Sequence, residues 1–163
     1  METPKPVLSP KAVFASYLFA IKNSLGNAMF QSLFLEKADG ELVDILKGGD
    51  IACANYASSI LYRFKYIKEP HATVEGTEKD LIDSGWTLVT EPQEGDVIIW
   101  QPNFDHDPKA EHLHIGFSIG GDQAISNSTT LKYPVEHHLT FGTKEDGAPR
   151  REIKAIYRRE PSV

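Results

Sequence analysis

Cysteine occurs once in this chain, at position 53, and that scarcity excludes an intrachain disulfide framework and a zinc site built from several thiolates. What remains is a lone thiol, either a small buried apolar group or a reactive one. Positive charge is also in deficit, with 17 Lys and Arg against 23 Asp and Glu and a net charge of −6. Without a basic stripe to displace counterions, nucleic acid and anionic membrane surfaces are excluded as general partners. The pairs Arg150-Arg151 and Arg158-Arg159 read as a solvated terminal stretch rather than a phosphate site. No apolar run is long enough to span a bilayer, and Met1 to Pro10 lacks the charged-then-apolar layout of a signal peptide. The expectation is a soluble protein, cytoplasmic as synthesised. Internal repeats and low-complexity tracts are absent.

At 163 residues and 40% hydrophobic composition, the chain suits one domain with a sizeable core. Three prolines in the first ten residues predict a flexible arm over 1–9. Ser9-Pro10 is a cap-and-first-turn signal, and Val13, Phe14, Tyr17, Leu18 and Ile21 follow at helical spacing. Met29, Phe30, Leu33 and Phe34 form a second apolar set, and a short helix is predicted from Glu41 to Lys47. Residues 10–47 thus read as a helical extension preceding a core over 48–158. Thr77-Glu78-Lys79-Asp80 resembles a helix start, with Ser84-Gly85 as its end. Strands are predicted near Asp96–Gln101, Leu113–Ile119, Gln123–Ser128 and Glu152–Arg158, with Leu131 to Pro149 irregular. Helices first and short-looped strands afterwards imply an α+β fold with an antiparallel sheet.

The stretch around the cysteine organises the rest. Gly48-Gly49-Asp50 is a glycine turn, and the segment from about Ala52 to Phe64 is helix-compatible, so Cys53 falls in a first helical turn. Backbone N–H groups and the macrodipole there favour a thiolate. A base is expected downstream, and His114, entering the alternating run His114-Ile115-Gly116-Phe117-Ser118-Ile119, is the candidate. Between them, Gln93-Glu94-Gly95-Asp96 is a tight turn feeding the buried strand Val97-Ile98-Ile99-Trp100.

Together these three pieces resemble the NlpC-type cell-wall cysteine peptidases and the related CHAP amidases, over roughly Gly48 to Arg158. The chain departs from the NlpC pattern in reading Ala52-Cys53-Ala54 for Asp-Cys-Ser and in lacking a histidine at Ala124-Ile125-Ser126-Asn127-Ser128. The resemblance implies a compact papain-like fold and a cysteine hydrolase (peptidase or amidase), with no cofactor and no metal, acting on a peptide or amide bond of peptidoglycan. It also implies Cys53 as nucleophile, His114 as base and Asn127 as the polar third residue. Ser126 takes the place of Asn127 if the hairpin register differs by one, because a one-residue slip exchanges faces. Asp50, Asn55 and Tyr56 are candidate substrate-binding residues beside the cysteine.

Two other classes compete. His112 and His114, two apart on one predicted strand, with Asp105, His106 and Asp107 nearby, suit a metal-dependent hydrolase or metal-binding module. A noncatalytic interaction protein on a papain-like shell shares the same fold signals.

Overall fold

A computed structural model of the chain describes residues 1, 3–103 and 112–160. Its first helix, α1, spans Pro10–Asn23, with the Ser9 hydroxyl accepting from the Ala12 amide at 3.2 Å as the N-cap. Tyr17 and Ile21 from its apolar stripe are fully buried. Tyr17 packs against Phe14, Phe64, Tyr66 and Phe117, and its hydroxyl donates to the carbonyl of Gly95 at 2.9 Å. That bond docks α1 on the Gly95-Asp96 turn.

In place of the short helix expected from Glu41 to Lys47, the chain forms a hairpin of β1 (Phe34–Glu36) and β2 (Leu42–Asp44). Asp39-Gly40 makes its turn, with Gly40 at φ 87°. The helical extension expected over 10–47 is therefore one helix, a single 3-10 turn at Ala28–Phe30 and a hairpin. Asp44 ends the hairpin by accepting the amides of Leu33, Leu46 and Gly48 and the Ser32 hydroxyl. Desolvation pushes its carboxyl up, but the amide bonds from Gly48, Leu46 and Leu33 and the Ser32 hydroxyl outweigh it and bring the pKa to about 2. The same carboxylate thus ties the hairpin to the turn that leads to Cys53.

Helix α2 spans Cys53–Arg63, as expected to within a residue at each end. Its buried face carries Tyr56, Ala57, Ile60 and Leu61, the larger of which each contribute roughly 1.5–3 kcal/mol by burial. Helix α3 spans Val74–Asp83 and starts earlier than Thr77. Thr73 is its cap, accepting from the Gly76 amide at 3.1 Å, while Thr77 lies one turn inside and donates to the Thr73 carbonyl. Buried Asp80 accepts the amides of Lys68 and Glu69 and bonds His71, pinning the loop that follows α2.

The remaining strands are β3 (Thr87–Val89), β4 (Val97–Trp100), β5 (His114–Ser118), β6 (Gln123–Asn127), β7 (Pro134–His138) and β8 (Ile153–Arg158). They form one six-stranded antiparallel sheet in the order β3-β8-β4-β5-β6-β7. Strand β7 lies in the stretch expected to be irregular, and Pro134 opens it on the sheet edge, where a missing N–H costs nothing. The fold is α+β. Val97, Ile99, Ile115, Phe117, Ile125 and Tyr157 face the main core with α1 and α2, while Ile98, Trp100 and Ala124 face a smaller cluster with Leu139, Phe141 and Ile153. Arg158 clasps buried Asp96 through Nε and Nη2 at 2.9 and 2.6 Å, and Arg159 bonds the Ser84 carbonyl. Those basic residues hold structure together rather than forming a solvated terminus. Among the described residues, no helix is long and apolar enough to cross a membrane.

Candidate active site

The turn before α2 reverses sharply through Gly48 and Gly49, at φ 66° and 102°, a conformation that side chains rarely adopt. Ala52 is the N-cap residue and supplies no side-chain acceptor, so the first-turn amides are left for another group. The sulfur of Cys53 lies among them, and its own amide, that of Ala54 and, from the sheet, that of Ile115 each favour its thiolate form. The nucleophile candidate therefore lies against the residue that follows the base candidate.

Cys53 as a residue is partly exposed, while its sulfur is buried. Burial pushes its pKa up, and these amides and the charge of Arg151 pull it only part of the way back. The expectation of a standing thiolate at the helix start is thus corrected: desolvation, a tertiary effect, outweighs the dipole.

His114 begins β5, opposite Trp100 on β4. Its ring sits near Trp100 and Phe141, with centroids 5.5 and 5.9 Å away. Its Nε2 lies 2.8 Å from the Ser126 hydroxyl, which lies 2.7 Å from Nε2 of His137, whose Nδ1 faces the His138 carbonyl at 2.7 Å. Burial holds both imidazoles below the ordinary histidine pKa, with His114 well below it, and the Arg151 charge adds to both shifts. Both rings are therefore neutral at neutral pH.

The chain of bonds then assigns the protons. A carbonyl only accepts, so Nδ1 of His137 carries hydrogen and its Nε2 is a lone pair. Ser126 donates to that lone pair and accepts from Nε2–H of His114. The proton on Nε2 leaves Nδ1 of His114 as the basic nitrogen.

Gly116 makes the arrangement possible. It pairs with Ser126, and a Cβ at Gly116 would stand 2.5 Å from the Ile125 carbonyl and 2.7 Å from the Ser126 Cβ. Only glycine admits so close a β5–β6 approach at the point where Ser126 meets His114.

The third residue expected at Asn127 is corrected by the register. Ser126 shares a face with His114, whereas Asn127 shares one with Ile125, on the α2 side. Buried Asn127 instead donates from Nδ2 to the carbonyls of Gly49 and Ser128 at 3.4 and 3.5 Å, so it holds the turn that carries Cys53. We expect Ser126→Ala to slow reactions of Cys53 about ten- to a hundredfold, the scale set by a misplaced catalytic group, and to move their pH profile. Asn127→Ala is expected to leave the midpoint of that profile in place. Rates of Cys53 alkylation across pH on both variants decide this, and a shift in Asn127→Ala alone would restore the original assignment.

The three substrate-binding candidates are not gathered at the sulfur. Tyr56 is fully buried, packed on Phe30 and Phe117 with its hydroxyl bonded to Ser24. Asn55 is buried and donates to the Phe30 carbonyl at 3.3 Å. Asp50 is exposed in the turn and paired with Lys132. Helix periodicity turns positions 55 and 56 into the core, a direction that residue type does not reveal. Two contributors have no site role in the sequence reading, His137 falling in an irregular stretch at the cleft border and Arg151 in a solvated one, because β7 and the segment before β8 carry no strong local pattern.

For the metal reading, His112 precedes β5 rather than lying on it, and Nε2 of His114 is engaged by Ser126. Asp105, His106 and Asp107 lie outside the described residues. Among the described residues, no group of three or more His, Cys, Asp or Glu is placed to hold a metal ion. No protein-family model matches the sequence, and no curated protein matches it.

Proposed function

We propose that the chain is a cysteine hydrolase of papain-like, NlpC/CHAP type, cleaving a peptide or amide bond through a thiol acyl-enzyme, with a peptidoglycan peptide as the substrate class. One observation supports the reading: a helix-opening cysteine packs onto the sheet at Ile115, the residue that follows a buried histidine whose Nε2 lies 2.8 Å from the Ser126 hydroxyl.

The chemistry runs from that neutral pair. As Sγ of Cys53 bonds to the substrate carbonyl carbon, its proton passes to Nδ1 of His114. The carbonyl oxygen becomes an oxyanion, for which the N–H of Cys53 is the donor. Collapse breaks the C–N bond, and the departing amine takes the proton from His114. Water then adds to the thioester, giving its proton to the same nitrogen, and the carboxylic acid leaves as Cys53 regains its hydrogen. Ser126 and His137 act as positioning residues throughout, holding the imidazole in one tautomer.

The test is the pH dependence of Cys53 alkylation by iodoacetamide, on wild type and His114→Ala. A raised thiol pKa means the thiolate fills only as pH climbs, so the wild-type rate is expected to reach half-maximum above the ordinary thiol value of about 8.5. At pH 7 the depressed His114 is unprotonated and able to assist, so His114→Ala is expected to react about tenfold more slowly there. Superimposable profiles would break the pair. A thiol inert at every pH in folded protein would retire the hydrolase reading.

A further inference from the structure

Arg151, in the segment leading into β8, is held beside this site without any role in the steps above. Its Nε donates to the Gln101 carbonyl at 2.8 Å and its Nη2 to the His112 carbonyl at 3.3 Å. The guanidinium lies over the Phe141 ring, 5.7 Å from its centroid. Phe141 stacks on His137 with centroids 3.9 Å apart. The cation is therefore clamped one ring away from the histidine relay, and its field reaches Cys53, His114 and His137.

Among the described residues its charge meets no carboxylate. Arg158 has the carboxylate of Asp96, but among the described residues Arg151 has only the two neutral carbonyls. A half-buried guanidinium that meets only neutral carbonyls among the described residues is costly, and the two carbonyl bonds fix its plane. The chain carries a net charge of −6, so a local cation beside the site is where an anionic substrate would be drawn in.

We infer that Arg151 is a specificity-determining residue that receives a carboxylate of the substrate, so that the preferred substrate is a peptide or amide bearing a free carboxylate beside the scissile bond. The inference rests on the thiol-hydrolase reading. A planar fork suits a carboxylate better than an ammonium group does, which accounts for arginine at this position.

The experiment compares two alkylating probes that differ in charge, iodoacetate and iodoacetamide, on wild type, Arg151→Gln and Arg151→Lys. Any change in thiolate population or loss of folded protein alters both rates equally and cancels in their ratio. Arg151→Gln is expected to lower the iodoacetate-to-iodoacetamide ratio about tenfold, at the low end of what a cationic cleft does for anion encounter. Arg151→Lys is expected to retain part of it, and raising the salt to 1 M is expected to shrink the wild-type preference. An unchanged ratio in Arg151→Gln, with both probes still modifying Cys53, overturns the carboxylate inference and leaves the hydrolase standing. Inertness of Cys53 to both probes overturns the two together.

Discussion

Under the proposed mechanism, Cys53→Ala is expected to release no product from any peptide or amide substrate, a loss of about 10⁴-fold or more against wild type, since removing the nucleophile of a concerted site removes nearly all of its acceleration. Alanine keeps the helix start intact: the Tyr56 amide still bonds the Ala52 carbonyl, and Asn127 still holds Gly49. What is lost is a sulfur packed at the edge of the main core, beside the amides of Ala54 and Ile115. The partial exposure of the residue limits the stability change to about 1 kcal/mol, within the range of ordinary single substitutions. Cys53→Ser should behave nearly as Cys53→Ala, because a hydroxyl in the same desolvated position is harder still to ionise. Product release by liquid chromatography and a thermal melt on the same preparations test this. Full turnover in folded Cys53→Ala would exclude the acyl-enzyme.

Gly116→Ala carries the largest expected effect on stability, a loss of about 3 kcal/mol, at the upper end for overpacked positions. The added methyl would meet the Ile125 carbonyl at 2.5 Å and the Ser126 Cβ at 2.7 Å. Neither neighbour is the free end of a flexible chain. Ile125 and Ser126 are paired on both sides, to β5 and to β7, so relief requires β6 to move away from β5. For a chain of this size the loss corresponds to a melting temperature lower by about 6–12 °C. The same displacement would draw Ser126 away from His114, so the protein that remains folded should also lose the dependence of Cys53 alkylation on His114. A melting temperature within about 2 °C of wild type, a shift worth under about 1 kcal/mol, would show that the sheet accommodates the methyl and that the close approach is not required.

Much of the fold is visible in local patterns. Ser9-Pro10 starts α1 because a hydroxyl acceptor and a fixed φ are local properties, and Cys53 opens α2 because two glycines make the turn before it. Strands β4, β5, β6 and β8 sit where apolar alternation and turn residues place them. The hairpin of β1 and β2 was hidden although its Asp39-Gly40 turn is a local signal, since Phe34, Leu35 and Leu42 are exposed and leave no inward pattern to reinforce it. Strand β7 was hidden because a proline-led edge strand with two histidines and a glutamate looks like loop.

The site divides along the same line. The sequence by itself determined which atoms are available: one thiol at the head of a helix, one histidine at the head of a strand, and a glycine two residues later that lets the next strand come close. Tertiary structure alone decided how they are used. Pairing Gly116 with Ser126 is a contact between two strands, and it chose Ser126 over Asn127 for the imidazole. Burial, a property of the whole packed chain, raised the thiol that its helix position by itself would have lowered. Strand order brought His137 behind Ser126, and the path between β7 and β8 laid Arg151 over Phe141. Periodicity and capping act over a turn or a residue pair and are therefore written in neighbouring letters, whereas register, desolvation and the placement of charge depend on residues far apart in the chain.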